Sequence, residues 1–270
     1  MSIFFENQIS GETPKAFGWY HLSWVAITVV ASVLFSMKFA KKQDEKTDDR
    51  VIFALGAMLI LIEIYKQFFR YRVDGGYDWR HFPLQLCSVP MYTATLGAVL
   101  KSGKIKDALY KFTAFIGGTS GVGVMLFPNS CLSTPYIAML IHTMLWHATL
   151  IIMSVYIISA KGYCKNLLNF KRELLSAVAV FTVISIIVAI TDIIAYKLFF
   201  GTSLNVNGYS FNMFYISPYY GAPFDFIVSL KDAVPYIVFF IGYIAVVSSG
   251  SVTLWTAGYL IGKIKKEKNG

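Results

Sequence analysis

Seven apolar runs, each close to the length of a membrane-spanning helix, alternate with short polar joints along the chain. They cover about 17–39, 51–70, 82–100, 108–127, 134–159, 173–200 and 233–262. About 20 predominantly apolar residues suffice to cross the hydrocarbon core of a bilayer. No run shows sustained period-two alternation with hairpin turns, which argues against a transmembrane barrel. The pattern predicts an all-α, polytopic transmembrane bundle of seven helices, forming a single integral membrane domain over 1–270. The first 15 residues are polar and lack a basic opening, so the first run is read as a retained span.

The 24 lysines and arginines divide unequally between the joints. Seventeen fall on loops 1–2, 3–4 and 5–6 and on the C-terminal tail; seven fall on the other side. Positively charged loops stay in the cytoplasm. The N-terminus is therefore expected outside and the C-terminus inside, in a multi-pass protein of the cell membrane. Composition agrees, with 14% charged residues where soluble chains carry roughly 25%. The net charge of +9 reports topology and contact with anionic lipid. No basic-aromatic patch points to nucleic acid.

Loop 1–2 reads as a solvated charge run. Loop 6–7, residues 201–232, is long and rich in Asn, Gly, Tyr and Pro, and is expected to fold over the outer mouth of the bundle as a cap. Gly117, Gly118, Gly121 and Gly123 resemble a phosphate loop only superficially, because the Lys-Ser/Thr pair and the preceding strand are missing. Small residues at such spacings let helices approach closely in a membrane.

Polar groups inside the membrane are costly and carry the functional signal. At 1.5 Å per residue, Cys87 lies roughly 8 Å below the outer end of its run, His142 roughly 12 Å and His147 roughly 20 Å. His21, Glu63, Gln85 and Asp192 also fall in the outer half, which predicts a polar pocket opening outward. Lys66 and Gln67 share a helical face with Glu63, and an ion pair between Glu63 and Lys66 is one reading. Asp192 could pair with Lys197, and Arg80 and His81 read as headgroup-level anchors. His142 and His147 are five residues apart, about 140° around a helix, so they do not both point squarely at one partner. That spacing also weakens a metal site, since helical His ligands prefer i,i+4. No metal or cofactor is expected. Cys87, Cys131 and Cys164 form no disulfide framework. Pro83 is expected in the first turn of the third helix.

A thiol beside an imidazole that takes its proton is a nucleophile. Cys87 with His147 or His142 fits that logic, and Gln85 or Asn212 could donate to a developing oxyanion. His21 and Glu63 would line the pocket. A substrate reaching it from the bilayer would be a phospholipid or other acyl lipid. The candidate activity is a Cys/His lipid acyltransferase or lipid-ester hydrolase. A small-solute transporter or permease and a non-catalytic receptor or scaffold stand beside it, although no inverted repeat marks a transporter.

Phe82-Pro-Leu-Gln-Leu-Cys87 resembles a signature of the bacterial YwaF-like integral membrane proteins. Trp19-Tyr-His21-Leu, Leu61-Ile-Glu63, His142-Thr-Met-Leu-Trp-His147 and Phe211-Asn212-Met-Phe resemble further motifs of that family. The family is similar to a eukaryotic transmembrane acyltransferase family acting on ether phospholipids. The resemblance implies seven spans and a catalytic pair formed by Cys87 and a span-five histidine. The motif favours His147 as the base, while the depth comparison favours His142.

Overall fold

The computed structural model describes residues 7–40, 44–200, 211–220 and 225–267. These are helical nearly throughout, with no strand among the described residues. A lone antiparallel bridge, Gln8 to Tyr136, ties the N-terminal segment to the start of a helix more than a hundred residues on.

The helices are α1 (Trp19–Phe39), α2 (Glu45–Val73), α3 (Val89–Val99), α4 (Lys104–Lys111), α5 (Gly118–Leu126), α6 (Asn129–Leu132), α7 (Ile137–Lys161), α8 (Phe170–Phe199), α9 (Asp225–Ala233) and α10 (Tyr236–Glu267). Five of them, α1, α2, α7, α8 and α10, are long and apolar enough to cross a membrane. α7 is the central one: 67% of its apolar window is buried, against 11–33% for the other four. It packs against α1, α2 and α5. The outward faces of α1 and α8 expose Leu, Ile and Val, which suits lipid as the outer solvent.

The third and fourth expected spans differ from the sequence reading. Helix α3 begins at Val89, not Phe82, and has 11 residues, roughly 16 Å of rise. Pro90 explains the late start. It has no N–H to bond the Leu86 carbonyl, and its ring crowds that carbonyl in any longer helix. Pro90, rather than Pro83, occupies the first turn. Residues 82–88 form turns instead, with Ser88 N–H and Val89 N–H both donating to the Gln85 carbonyl at 2.8 and 3.2 Å. The fourth run starts earlier, at Lys104, and a π-helical stretch, Phe112–Gly117, joins α4 to α5. A π stretch misaligns backbone pairing. Ser154 of α7 answers it by donating to the Ala114 carbonyl at 2.6 Å.

Local signals set several ends. Asp44 caps α2, its carboxylate accepting from Thr47 N–H at 3.2 Å, and Glu45 and Asp48 complement the helix dipole in the first turn. Gly162, at φ +69°, ends α7 in the left-handed conformation that favours glycine.

The close approach expected of the span-four glycines is present at Gly118 and Gly121. A Cβ on Gly118 would lie 2.4 Å from Ser154 Oγ and 2.8 Å from Leu254 Cδ2. The same serine supports the π stretch. Gly118→Ala is therefore expected to lower stability by about 1–3 kcal/mol, read as a fall in detergent melting temperature; an unchanged melt would show that α5 and α7 can separate freely.

Of the loop 1–2 charge run, 41–43 lie outside the described residues, and Asp48 and Asp49 are not plainly solvated. Asp48 and Asp49, in the first turns of α2, anchor a clasp at one end of the bundle. Asp49 accepts from Tyr110 OH at 2.7 Å and pairs with Lys106. Asp48 accepts from Tyr156 OH at 3.0 Å, and Lys161 stands 3.6 Å from Asp48 and 3.5 Å from Asp49. The start of α2, the start of α4 and the end of α7 thus meet at one end.

Candidate functional site

The other end carries a cleft of about 300 Å³, within the size range of small-ligand pockets. Three stretches build it. α2 contributes Glu63, Lys66 and Arg70, spaced i, i+3 and i+7 along one face. α7 contributes His142, Trp146 and His147. The turns before α3 contribute Gln85 and Cys87. Arg80, His81, Cys131 and Tyr215 complete the wall.

The Cys87 loop is fixed by α7. Trp146 Nε1–H donates to the Cys87 carbonyl at 3.1 Å, and the same indole stacks on His142 with centroids 5.7 Å apart. The loop cannot coil into a helix, because of Pro90, so it holds Cys87 on a turn with its backbone pinned from the side. The Cys87 thiol has no hydrogen bond to either imidazole. Catalytic hydrogen bonds in unliganded sites are often long and tighten only with substrate.

Both histidines are nine-tenths buried. His147 Nδ1 lies 2.8 Å from the Thr143 carbonyl. A carbonyl only accepts, so Nδ1 carries the proton and Nε2 presents a lone pair. His147 Nε2 and His142 Nε2 are both buried without a partner among the described residues. Lys66 lines the same cleft as Cys87 and both imidazoles.

Gln85 is also oriented. Its Oε1 accepts from Phe214 N–H at 3.2 Å, which leaves its NH₂ as the donor. Glu63 accepts from Lys66 at 2.7 Å and from Gln67 Nε2 at 2.6 Å, and Gln67 also donates to the His81 carbonyl at 2.5 Å. The Glu63–Lys66 ion pair read from the sequence is present. Gln67, held by Glu63, ties α2 to the segment leading to Cys87.

His21 and Asn212, expected at the pocket, do not line it. His21 is fully buried between α1 and α5: Nε2–H donates to the Met125 carbonyl at 3.0 Å and Nδ1 accepts from Phe17 N–H at 3.2 Å. Both ring nitrogens are engaged: Nε2 ties α1 to α5, and Nδ1 holds the turn just before α1. Asn212 Oδ1 accepts from Ser217 N–H at 3.0 Å, closing the turn that carries Tyr215 into the cleft. Asp192 does not pair with Lys197; its Oδ1 accepts from Met213 N–H at 2.9 Å.

The expected cap lies partly outside the described residues, at 201–210 and 221–224. Of its described residues, 211–217 are mostly buried in the bundle, while 218–220 and 227–232 are half-buried or exposed. Phe214 and Tyr215 are successive left-handed residues, at φ +57° and +59°, a conformation costing of order 1–3 kcal/mol each. Asp192, Gln85 and Tyr236, whose OH donates to the Ile216 carbonyl at 3.0 Å, hold the strain in place. Asp192→Ala is expected to remove about 1–3 kcal/mol by orphaning the Met213 N–H. Limited proteolysis within 211–217 is the check, and protection equal to the wild type would show that the insert needs no such anchor.

Sequence reasoning missed Lys66 and Arg70 as wall residues, although their i+3 and i+7 spacing from Glu63 was available. It missed Tyr215, for which no sequence signal exists. A larger crevice of about 500 Å³ near Glu12 and Asn129 holds no chemistry: Glu12 and Lys15 pair with each other at 2.8 Å, both largely exposed.

An all-helical chain with several membrane-length helices and a polar cleft walled by helix faces is a polytopic membrane protein. The TMEM164 family model matches residues 16–257. The chain belongs to the TMEM164 family. No curated protein and no solved structure matches it.

Proposed function

We propose that the protein is a membrane-embedded acyltransferase or lipid-ester hydrolase that takes an acyl group from a phospholipid or other acyl lipid onto Cys87. The observation that carries this reading is that a thiol lines the same cleft as an imidazole whose Nδ1 is engaged and whose Nε2 is bare. His147 Nε2 takes the Cys87 proton as sulfur attacks the ester carbonyl carbon. The carbonyl oxygen gains the negative charge, and the Gln85 NH₂ donates to it. The tetrahedral centre collapses, the lipid C–O bond breaks, and the His147 imidazolium returns its proton to the departing oxygen. A lyso-lipid leaves and a thioester stays on Cys87. An acceptor hydroxyl, or water, then gives its proton to His147 and attacks the thioester, restoring the thiol.

This reading places seven crossings in the membrane, with α3 and its preceding turns as the third and the α4–α5 segment as the fourth. The N-terminus is outside, and the cleft faces the outer leaflet of the cell membrane. The convergence of α2, α4 and α7 ends in the Asp48–Asp49–Lys106–Lys161 clasp supports one common cytoplasmic end. Lipid analysis by mass spectrometry of nanodiscs holding the protein tests the activity. Accumulation of lyso-lipid and of free or transferred acyl chain is expected. Unchanged lipid esters together with solute flux across proteoliposomes would overturn the reading in favour of a permease.

A further inference from the structure

The wall of the cleft carries three fixed cations, Lys66, Arg70 and Arg80, against one carboxylate, Glu63. Two of the cations are already matched. Lys66 pairs with Glu63 at 2.7 Å. Arg80 grips Asp78 through Nε at 2.7 Å and through a guanidinium nitrogen. Arg70 has neither an ion pair nor a side-chain hydrogen bond among the described residues. The nearest acid in sequence, Asp74, is one turn further on and faces His81 Nε2 at 3.5 Å. Burial, with Arg70 close by, pushes the His81 imidazole down to about 4, so His81 adds no charge near neutral pH. The one unmatched charge on this wall is a half-buried guanidinium. Leaving such a group unpaired in a partly desolvated cleft is costly unless an anion arrives.

Arg70 sits one helical turn beyond Lys66 and two turns beyond Glu63 on the same face, roughly 10 Å along α2 from the latter. It therefore stands nearer the α2 end of the cleft than the buried imidazoles do. A guanidinium presents a planar fork that matches two phosphate oxygens at once. In a glycerolipid the phosphate and the ester carbonyl are only a few bonds apart.

Resting on the acyl-transfer reading above, we infer that Arg70 holds the headgroup phosphate of the acyl donor and that the cleft selects lipids whose headgroup carries net negative charge. A zwitterionic headgroup brings its own cation toward the unmatched Arg70 guanidinium and is repelled there. Arg70 is a positioning residue: it sets which ester reaches Cys87 without touching the reacting atoms.

The test separates binding from chemistry by using Cys87→Ser protein in nanodiscs. Native mass spectrometry counts retained phosphatidylglycerol and phosphatidylcholine from an equimolar mixture. Preferential retention of phosphatidylglycerol is expected, reduced about ten- to hundredfold by Arg70→Gln and partly restored by Arg70→Lys. A matching melting temperature for all three proteins keeps the comparison free of folding effects. Equal retention of the two lipids, or selectivity unaltered in Arg70→Gln, overturns the inference. So does inorganic phosphate binding as tightly as the lipid, which would make a soluble phosphate the ligand. If wild-type protein never acylates Cys87 yet the Arg70-dependent selectivity holds, the catalytic reading alone falls. If acylation proceeds equally from both lipids, the headgroup inference alone falls.

Discussion

Cys87→Ala is expected to abolish acyl transfer, by a factor on the order of 10⁴–10⁶, while the protein stays folded. The thiol is the only nucleophile that the protein supplies in the proposed scheme, and alanine offers nothing to carry the acyl group. The cost to the fold is small for a definite reason. The contact that pins this turn runs from Trp146 Nε1 to the Cys87 carbonyl, a backbone atom that every substitution retains. A side chain of similar size at a half-buried position shifts stability by about 1 kcal/mol or less. Lyso-lipid release followed by mass spectrometry, beside a thermal melt, measures both halves of the prediction. Activity within a few-fold of wild type would remove Cys87 from the chemistry, whatever its place in the cleft.

His147→Ala is expected to cost about 10²–10⁴ in turnover, and His142→Ala less than about tenfold. The two residues look alike in burial and in their bare Nε2 atoms. Each ring also has a backbone partner, Thr143 for His147 and Ile62 for His142, and the two differ in what else the ring touches. The His147 tautomer is set by the Thr143 carbonyl, so its Nε2 is held ready to receive a proton. His142 instead stacks on the indole that supports the Cys87 turn, which suits it to shaping the wall. His147→Gln tests orientation separately from basicity, since glutamine can occupy the space but takes no proton at neutral pH. The reverse order of losses would make His142 the base and Thr143 a helix-internal partner of no catalytic consequence.

The apolar runs were legible because membrane-length helices need only composition and length. α1, α2, α7, α8 and α10 follow from that alone. The third run misled because hydropathy does not distinguish an apolar helix from an apolar turn: Phe82, Leu84 and Leu86 are as apolar as the helix after them, and only Pro90 signals that the helix cannot extend back through them. The π stretch at 112–117 depends on Ser154, forty residues away, and has no local signature. Asp48 and Asp49 looked like solvated charges because their partners, Lys106, Tyr110, Tyr156 and Lys161, lie on other helices. His21 looked like a pocket residue because depth in the membrane was available from sequence and azimuth was not: it faces α5, away from the cleft. Glu63, Gln85, Cys87, His142 and His147 were recognisable as residue types that carry chemistry. Their common wall arises from α2 and α7 packing together, which only the fold supplies.

The most direct test of the account is peptide mass spectrometry of the protein after incubation with phospholipid and no acceptor. The account predicts an acyl mass on Cys87 that hydroxylamine removes, that is lost in His147→Ala, and that is absent from Cys131 and Cys164. Lyso-lipid production with Cys87 unmodified, or an acyl group on another cysteine while Cys87 stays free, would contradict it.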